Sequence, residues 1–251
     1  MGKNTLVVMG CSMTEGQGCW GDFNKHITKV DDILKLRKKY INRFYEFGWP
    51  NIVAKELGFD KVINLGKIGS STSGQLKFFK EQNFGNDNVY IIWMLTEPIR
   101  FSFYKKGKIK NIHPAKGTPI GNSYIDFVDD ITLDSCLEQL FYIKCMRDIS
   151  KLNNYNLLIT HWNSASKHTQ SLDDVTDNYL HKVPTTILPS NRKFISNVCG
   201  HPNELGYDWM AKTILKEIKN NNKNFIISDK KDKLEYIAPE HKSYTINKEL
   251  L

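Results

Sequence analysis

The chain has 251 residues, 35 Lys and Arg against 27 Asp and Glu, a formal charge of +8, and 40% hydrophobic and 12% aromatic residues. This composition excludes a disordered or collagen-like chain and supplies enough apolar mass for one large domain or two small ones. No apolar run approaches the roughly 20 residues that a membrane-spanning helix needs. The longest, Tyr90 to Leu95, reads as a buried strand.

Met1-Gly2-Lys3-Asn4 leads straight into a strand-like segment without a secretory apolar region, so no signal peptide and a cytoplasmic location are expected. The cysteines Cys11, Cys19, Cys136, Cys145 and Cys199 are scattered, with no CxxC pair and no zinc-ligand spacing. Reduced thiols are the expectation. The positive charge gathers at Lys35 to Lys39, Lys105 to Lys110 and Lys216 to Lys233 without a nucleic-acid recognition motif. A solvated Lys-rich surface, rather than a nucleic-acid partner, is expected from it.

In chain order, Thr5 to Met9 is a short buried strand ending at Gly10, and Gly16, Gly18 and Gly21 mark an irregular loop after it. Asp31 to Phe47 has helical spacing. Trp49-Pro50 opens a further helix with Ile52, Val53 and Leu57 on one face and Gly58 as its cap. Val62 to Leu65 is a second strand, followed by a Gly/Ser-rich loop from Gly66 to Gly74 and a helix from Gln75 to Gln82. Val89 to Leu95 is a third strand. Residues 104–131 are punctuated by Gly and Pro and read as a long excursion.

Leu133 to Leu152 is the clearest helix, with Leu133, Leu137, Leu140, Phe141, Ile149 and Leu152 near the helical period. Tyr155 to Thr160 is a fourth strand, 161–200 is irregular, and Pro202 to Lys219 is the last helix. The final residues read as a weak strand pair or an arm. No internal repeat is present. Strand alternating with helix four times predicts an α/β fold with a parallel sheet. In such sheets ligands bind beyond the carboxyl ends of the strands, so the residues there carry the chemistry.

Those residues are Gly10-Cys11-Ser12-Met13-Thr14-Glu15-Gly16 after the first strand, Asn64 to Ser71 after the second, and Leu95-Thr96-Glu97-Pro98-Ile99-Arg100 after the third. Gly200-His201-Pro202-Asn203 stands before the last helix. A Ser in a Gly-flanked turn can expose its hydroxyl beside backbone N–H groups, and Gly69 can offer an N–H with no side chain in the way.

The order of these blocks resembles the SGNH (GDSL-like) hydrolases. The Gly-Asp-Ser block of that family stands here as Gly10-Cys11-Ser12. Its second block, an Asn a few residues before a loop Gly, matches Asn64 and Gly69. Its last, His-Pro-Asn, matches His201-Pro202-Asn203. The resemblance spans residue 5 to about 219 and implies a three-layer α/β/α flavodoxin-like fold of parallel strands. It also implies ester hydrolysis through an acyl-enzyme, with Ser12 as nucleophile, His201 as general base, and Gly69 in the oxyanion hole. Three positions depart from the pattern. Cys11 replaces the usual Asp. Thr96 stands where an Asn usually donates to the oxyanion. Val198 stands where the acid that orients the His is expected. Asn197 or a backbone carbonyl is the first replacement for that acid, and Asp173, Asp174 or Asp177 the second.

These readings divide the chain into an SGNH-like domain over 1–219, with insertions near 17–48, 104–131 and 161–200, and a C-terminal extension over 220–251. The insertions are expected to frame the mouth of the pocket. Trp20, Phe23, Tyr40, Tyr124, His161 and Trp162 either line it or belong to the core. The expected function is a serine esterase acting on a small or carbohydrate O-acyl ester, with no metal or organic cofactor, no nucleic-acid partner and no membrane partner. The alternative is a catalytically weakened SGNH-like binding or structural protein, associated with a virion if phage-encoded.

Overall fold

The computed structural model describes residues 2–23, 25–27, 30–96, 100–105, 108–112, 132–161 and 192–238. Its strands are β1 (Asn4–Met9), β2 (Lys61–Asn64), β3 (Asn88–Leu95), β4 (Phe101–Lys105), β5 (Lys108–Ile112), β6 (Asn156–His161) and β7 (Glu235–Ile237). Its α-helices are α1 (Ser12–Glu15), α2 (Val30–Phe47), α3 (Trp49–Glu56), α4 (Thr72–Lys80), α5 (Thr132–Leu152) and α6 (Glu204–Asn221). Five strands form one sheet in the order β6-β3-β1-β2-β7, and every pairing in it is parallel. β4 and β5 form a separate antiparallel pair that starts ahead of the expected 104–131 excursion and runs into it. Among the described residues no helix is long and apolar enough to cross a membrane.

The central strands are apolar on both faces because both faces are covered. Leu6, Val8, Ile92, Met94 and Leu158 point to one side and pack with Val53 of α3, Leu57 just after it, Met210 and Ile214 of α6, and Phe44 of α2. Val7, Met9, Ile91, Trp93 and Ile159 point to the other and pack with Leu76 and Phe79 of α4 and Ile143 and Met146 of α5. The period of two along each strand thus divides the core into two halves, giving the three-layer α/β/α arrangement. From β1 the chain crosses first to β2 on one side and then to β3 on the other. The order reverses at β1, which opens a crevice at the carboxyl ends of β1 and β3.

Three readings are sharpened. First, the face of α5 differs from the apolar period read along it. Leu137, Phe141 and Leu152 are 55%, 61% and 83% exposed. Among the described side chains from 137 on, the buried positions are Gln139, Ile143, Met146 and Ser150, while Leu140 and Ile149 of the expected set pack partly buried beside them. Apolar residues occupy more than one side of this helix, so periodicity alone does not choose among them. Gln139 does: its Nε2 donates to the Thr72 hydroxyl at 2.7 Å and the Thr96 carbonyl at 2.9 Å, turning that stripe inward. Ile143→Ala is therefore expected to cost about 3 kcal/mol, whereas Phe141→Lys should stay within about 0.5 kcal/mol. Chemical denaturation of the two variants checks this, and equal losses would contradict the assigned face.

Second, the segment read as a C-terminal extension from 220 belongs to the domain as far as it is described. Phe225 is fully buried, and β7 pairs with β2 in the register Val62 opposite Tyr236. Tyr236 stacks on Tyr45 at 5.1 Å between ring centroids, and its hydroxyl accepts from Asn64 Nδ2 at 2.7 Å. A three-residue edge strand, held by its ladder to β2, the Lys3–Glu235 ion pair, Tyr236 and Ile237, leaves almost no periodic signal in sequence.

Third, the aromatics of the 17–48 insertion pack inward. Trp20 meets Tyr40 and Phe44 edge-on at 6.0 and 4.8 Å, and Phe23 and Tyr40 lie half-buried against the same core. The insertion covers the sheet with α2, and Trp20 and Phe23 also line a pocket beside Ser196 and Asn197. His161 is buried at the end of β6, while Tyr124, Trp162, Asp173, Asp174 and Asp177 lie outside the described residues.

Candidate active site

Ser12 opens α1, directly after β1. Gly10 must be glycine there because a Cβ would stand 2.0 Å from the Thr14 hydroxyl. The turn closes through Thr14 and Glu15 N–H groups on the Cys11 carbonyl, both at 3.0 Å, and ends at Gly16 in the left-handed region. Three other elements grip it. Asn64 Nδ2 donates to the Thr14 carbonyl at 2.9 Å, and Tyr207 of α6 donates its hydroxyl to the Gln17 carbonyl at 2.8 Å. The Arg37 guanidinium of α2 donates Nε to both Glu15 oxygens at 3.1 Å, with Nη2 also on Oε1. Glu15 is only 2% exposed, and burial raises its carboxyl pKa against the opposing pull of Arg37 and Lys67.

His201 sits at the tip of a hairpin-like loop. Ser196 N–H donates to the His201 carbonyl at 2.8 Å, and Asn203 N–H to the Phe194 carbonyl at 2.9 Å. Asn203 then caps α6 by accepting from Gly206 N–H at 3.0 Å. Segment 25–27 straps the outer side of the loop: Ile27 N–H donates to the Val198 carbonyl at 3.1 Å, and His26 Nδ1 lies 2.9 Å from the Asn197 carbonyl.

These two pieces of chain, 189 positions apart, bring Ser12 Oγ to 2.8 Å from His201 Nε2. On the other side of the ring, His201 Nδ1 stands 3.1 Å from the Cys199 carbonyl. A carbonyl can only accept, so Nδ1 carries the proton and Nε2 faces the Ser12 hydroxyl as acceptor. Part of His201 reaches the surface, yet burial of the imidazole pushes it down to about 4; the Cys199 carbonyl opposes this, and the charge of Arg100 adds to it.

The acceptor that orients His201 is therefore a backbone carbonyl, that of Cys199, and not the side-chain oxygen of Asn197. Asn197 is exposed and its carbonyl faces His26. Val198 is buried among the apolar residues of the core, where a carboxylate would be unpaired. A backbone carbonyl has no residue signature, which is why sequence alone leaves the partner of His201 open.

Gly69 has φ +68 and open space where a Cβ would lie. Its N–H makes no hydrogen bond among the described residues. Thr96 is fully buried at the end of β3, and its hydroxyl makes no hydrogen bond among the described residues while its carbonyl is taken by Gln139. Asn64 is a structural anchor: besides Thr14 and Tyr236, it accepts from Gly66 N–H at 2.8 Å. Among the described cysteines, Cys11 and Cys19 are buried free thiols. Cys199 is a half-buried free thiol whose sulfur accepts from Trp20 Nε1 at 3.2 Å. Burial raises the thiol pKa of Cys19 and of Cys199, which disfavours a thiolate at either. No group of three or more metal-binding side chains occurs among the described residues.

No family model matches the chain, and no curated protein does either. Solved structures do. A carbohydrate esterase described as having divergent catalytic and non-catalytic binding functions aligns with a TM-score of 0.51 at 12% identity, covering 90% of this chain and 71% of that one. A lipolytic protein of the G-D-S-L family from Desulfitobacterium hafniense DCB-2 aligns at 0.49 and 11% identity, covering 85% and 99%. A catalytic mutant of an acetylxylan esterase from Geobacillus stearothermophilus aligns at 0.42 and 12%, covering 87% and 95%. At such identities likeness bears on architecture alone. The five-stranded parallel sheet with helices on both faces and the switch of strand order at β1 give the chain a three-layer α/β/α fold, the fold it shares with the carbohydrate esterase.

Proposed function

We propose that the protein is a serine ester hydrolase in which Ser12 is the nucleophile and His201 the general base. The observation that supports this most directly is the 2.8 Å approach of Ser12 Oγ to His201 Nε2, with the proton fixed on the opposite nitrogen by the Cys199 carbonyl. In this reading His201 takes the Ser12 proton as Oγ attacks the ester carbonyl. The N–H groups of Ser12 and Gly69, with the Thr96 hydroxyl, receive the developing oxyanion. Collapse of the tetrahedral species breaks the ester C–O bond, and the departing alcohol takes the proton from His201. Water then releases the acyl group by the same route, activated by the same base.

The base is weak. A carbonyl fixes the tautomer but stabilises the imidazolium less than a carboxylate does. Activated esters, whose leaving groups need little protonation, are the preferred substrates. The substrate class assigned is a small or carbohydrate O-acyl ester.

A different observation favours a second reading, a binding protein that keeps the scaffold with weakened chemistry: the partner of His201 Nδ1 is the Cys199 carbonyl, a weaker support for an imidazolium than a carboxylate. A fluorophosphonate probe separates the two. Stoichiometric labelling at Ser12, identified by peptide mass spectrometry and lost in Ser12→Ala, is the expected result. Full recovery of unmodified Ser12 after prolonged exposure would support the binding protein and refute the hydrolase.

A further inference from the structure

The loop that carries Gly69 is fastened to the nucleophile's own strand. Residues Lys67 to Ser70 form a β-turn closed by the Ser70 N–H on the Lys67 carbonyl at 3.1 Å, with Gly69 at its third position, where φ +68 is required. In such a turn the N–H at the third position belongs to the central peptide and is not used by the turn itself. Both ends of the turn meet one acceptor, the Gly10 carbonyl, two residues before Ser12. Lys67 N–H donates to it at 3.1 Å and Ser70 Oγ at 2.8 Å.

The directions of the remaining bonds follow from donor chemistry. The Trp93 indole can only donate, and it does so to Gln75 Oε1 at 2.6 Å. That leaves Gln75 Nε2 as the donor to Ser70 Oγ at 3.2 Å. Ser70 is then an acceptor from Gln75, and its own hydrogen goes to Gly10. Ser70, Gln75 and Trp93 are all fully buried, so no water competes for these bonds.

We propose that Ser70 is a positioning residue of the oxyanion hole. Its hydroxyl, aligned by Gln75 and Trp93, pins the turn to the Gly10 carbonyl and thereby fixes the Gly69 N–H relative to Ser12. The proposal rests on the reading of Ser12 as nucleophile. An oxyanion donor is effective only when it is held at hydrogen-bond distance from the place where charge develops. A turn tethered by one bond instead of two allows the Gly69 N–H to swing away from that place.

The test measures Ser70→Ala and Gln75→Met beside the native protein. Ser70→Ala should lower kcat on p-nitrophenyl acetate and the rate of fluorophosphonate labelling each by about tenfold, less than the roughly 10²-fold or more of losing a donor outright, because the Gly69 N–H is loosened and not removed. KM should remain within twofold, and the pH profile should be unmoved because His201 is untouched. Backbone amide exchange at Lys67 should quicken at least tenfold. Gln75→Met, which leaves the Ser70 hydroxyl in place but unaligned, should shift the same quantities in the same direction by less, and it serves if Ser70→Ala does not fold.

A merely structural Ser70 would lower the melting temperature and leave kcat and labelling within twofold of native, which overturns the proposal. A native protein that does not label at all overturns the Ser12 reading and this role with it. A native protein that labels, while both variants label equally fast, overturns the Ser70 role alone.

Discussion

Ser12→Ala is expected to lower kcat/KM on p-nitrophenyl acetate by about 10⁴-fold or more, and His201→Ala by a comparable factor, with the double variant little worse than either. Non-additivity follows from the proposed mechanism, in which the two side chains act in one step, the transfer of the Ser12 proton across a 2.8 Å contact. The pH dependence is the sharper measurement. The base works only when Nε2 is unprotonated. With His201 held down to about 4, kcat/KM should rise tenfold per unit below that pH and run level from there to neutrality. A free imidazole titrates near 6.5. An acid limb at or above that value would mean that a carboxylate reaches Nδ1 and displaces the Cys199 carbonyl from the mechanism. The low basicity has a cost in rate, since a weaker base draws the serine proton less far in the transition state. That is the physical ground for expecting a slow enzyme best suited to activated esters.

Arg37→Met should destabilise the fold by about 3 kcal/mol near neutral pH, the usual penalty for leaving one member of a buried ion pair uncompensated. Glu15 is nearly inaccessible, and Arg37 supplies the donors that satisfy both of its oxygens. Removing the guanidinium leaves a carboxylate enclosed beneath α2, with only the more distant attraction of Lys67.

The sign with pH follows from burial. In the native protein the Glu15 pKa is already raised above its ordinary value, so this carboxyl holds its proton more tightly folded than unfolded. Losing Arg37 raises it further. The added penalty is therefore fully present above the variant's folded pKa and shrinks as pH falls through it and Glu15 becomes neutral. Urea unfolding at pH 7 and at pH 4.5 checks this. A deficit that grows on acidification would contradict the assignment of Glu15 as a buried anion. Because Glu15 closes the turn that begins at Ser12, Arg37→Met should also reduce turnover in the molecules that remain folded.

What the sequence by itself determined is the part written in local chemistry. Short β-branched and aliphatic runs such as Leu6 to Met9 and Val89 to Leu95, bounded by turn residues, read as strands buried on both faces, and helices between them point to a parallel sheet. Gly10, Ser12, Gly69 and the His201-Pro202-Asn203 block are legible because tight turns, left-handed backbone and helix caps restrict which residues can stand there.

The tertiary structure decided what depends on groups that carry no residue signature or on distances across the sheet. The acceptor behind His201 is a main-chain carbonyl, present at every position and selected only by how the 194–203 loop folds back. The inward face of α5 was settled by Gln139 reaching Thr72 and Thr96, a polar choice among competing apolar stripes. Strand β7 exists because Tyr236 finds Tyr45 and Asn64 about 190 and 170 residues away. Glu15 with Arg37, and Ser70 with Gln75 and Trp93, are ordinary polar residues in sequence. Burial turns them into fixed contacts, since a polar group removed from water must take whatever partner the fold brings within reach.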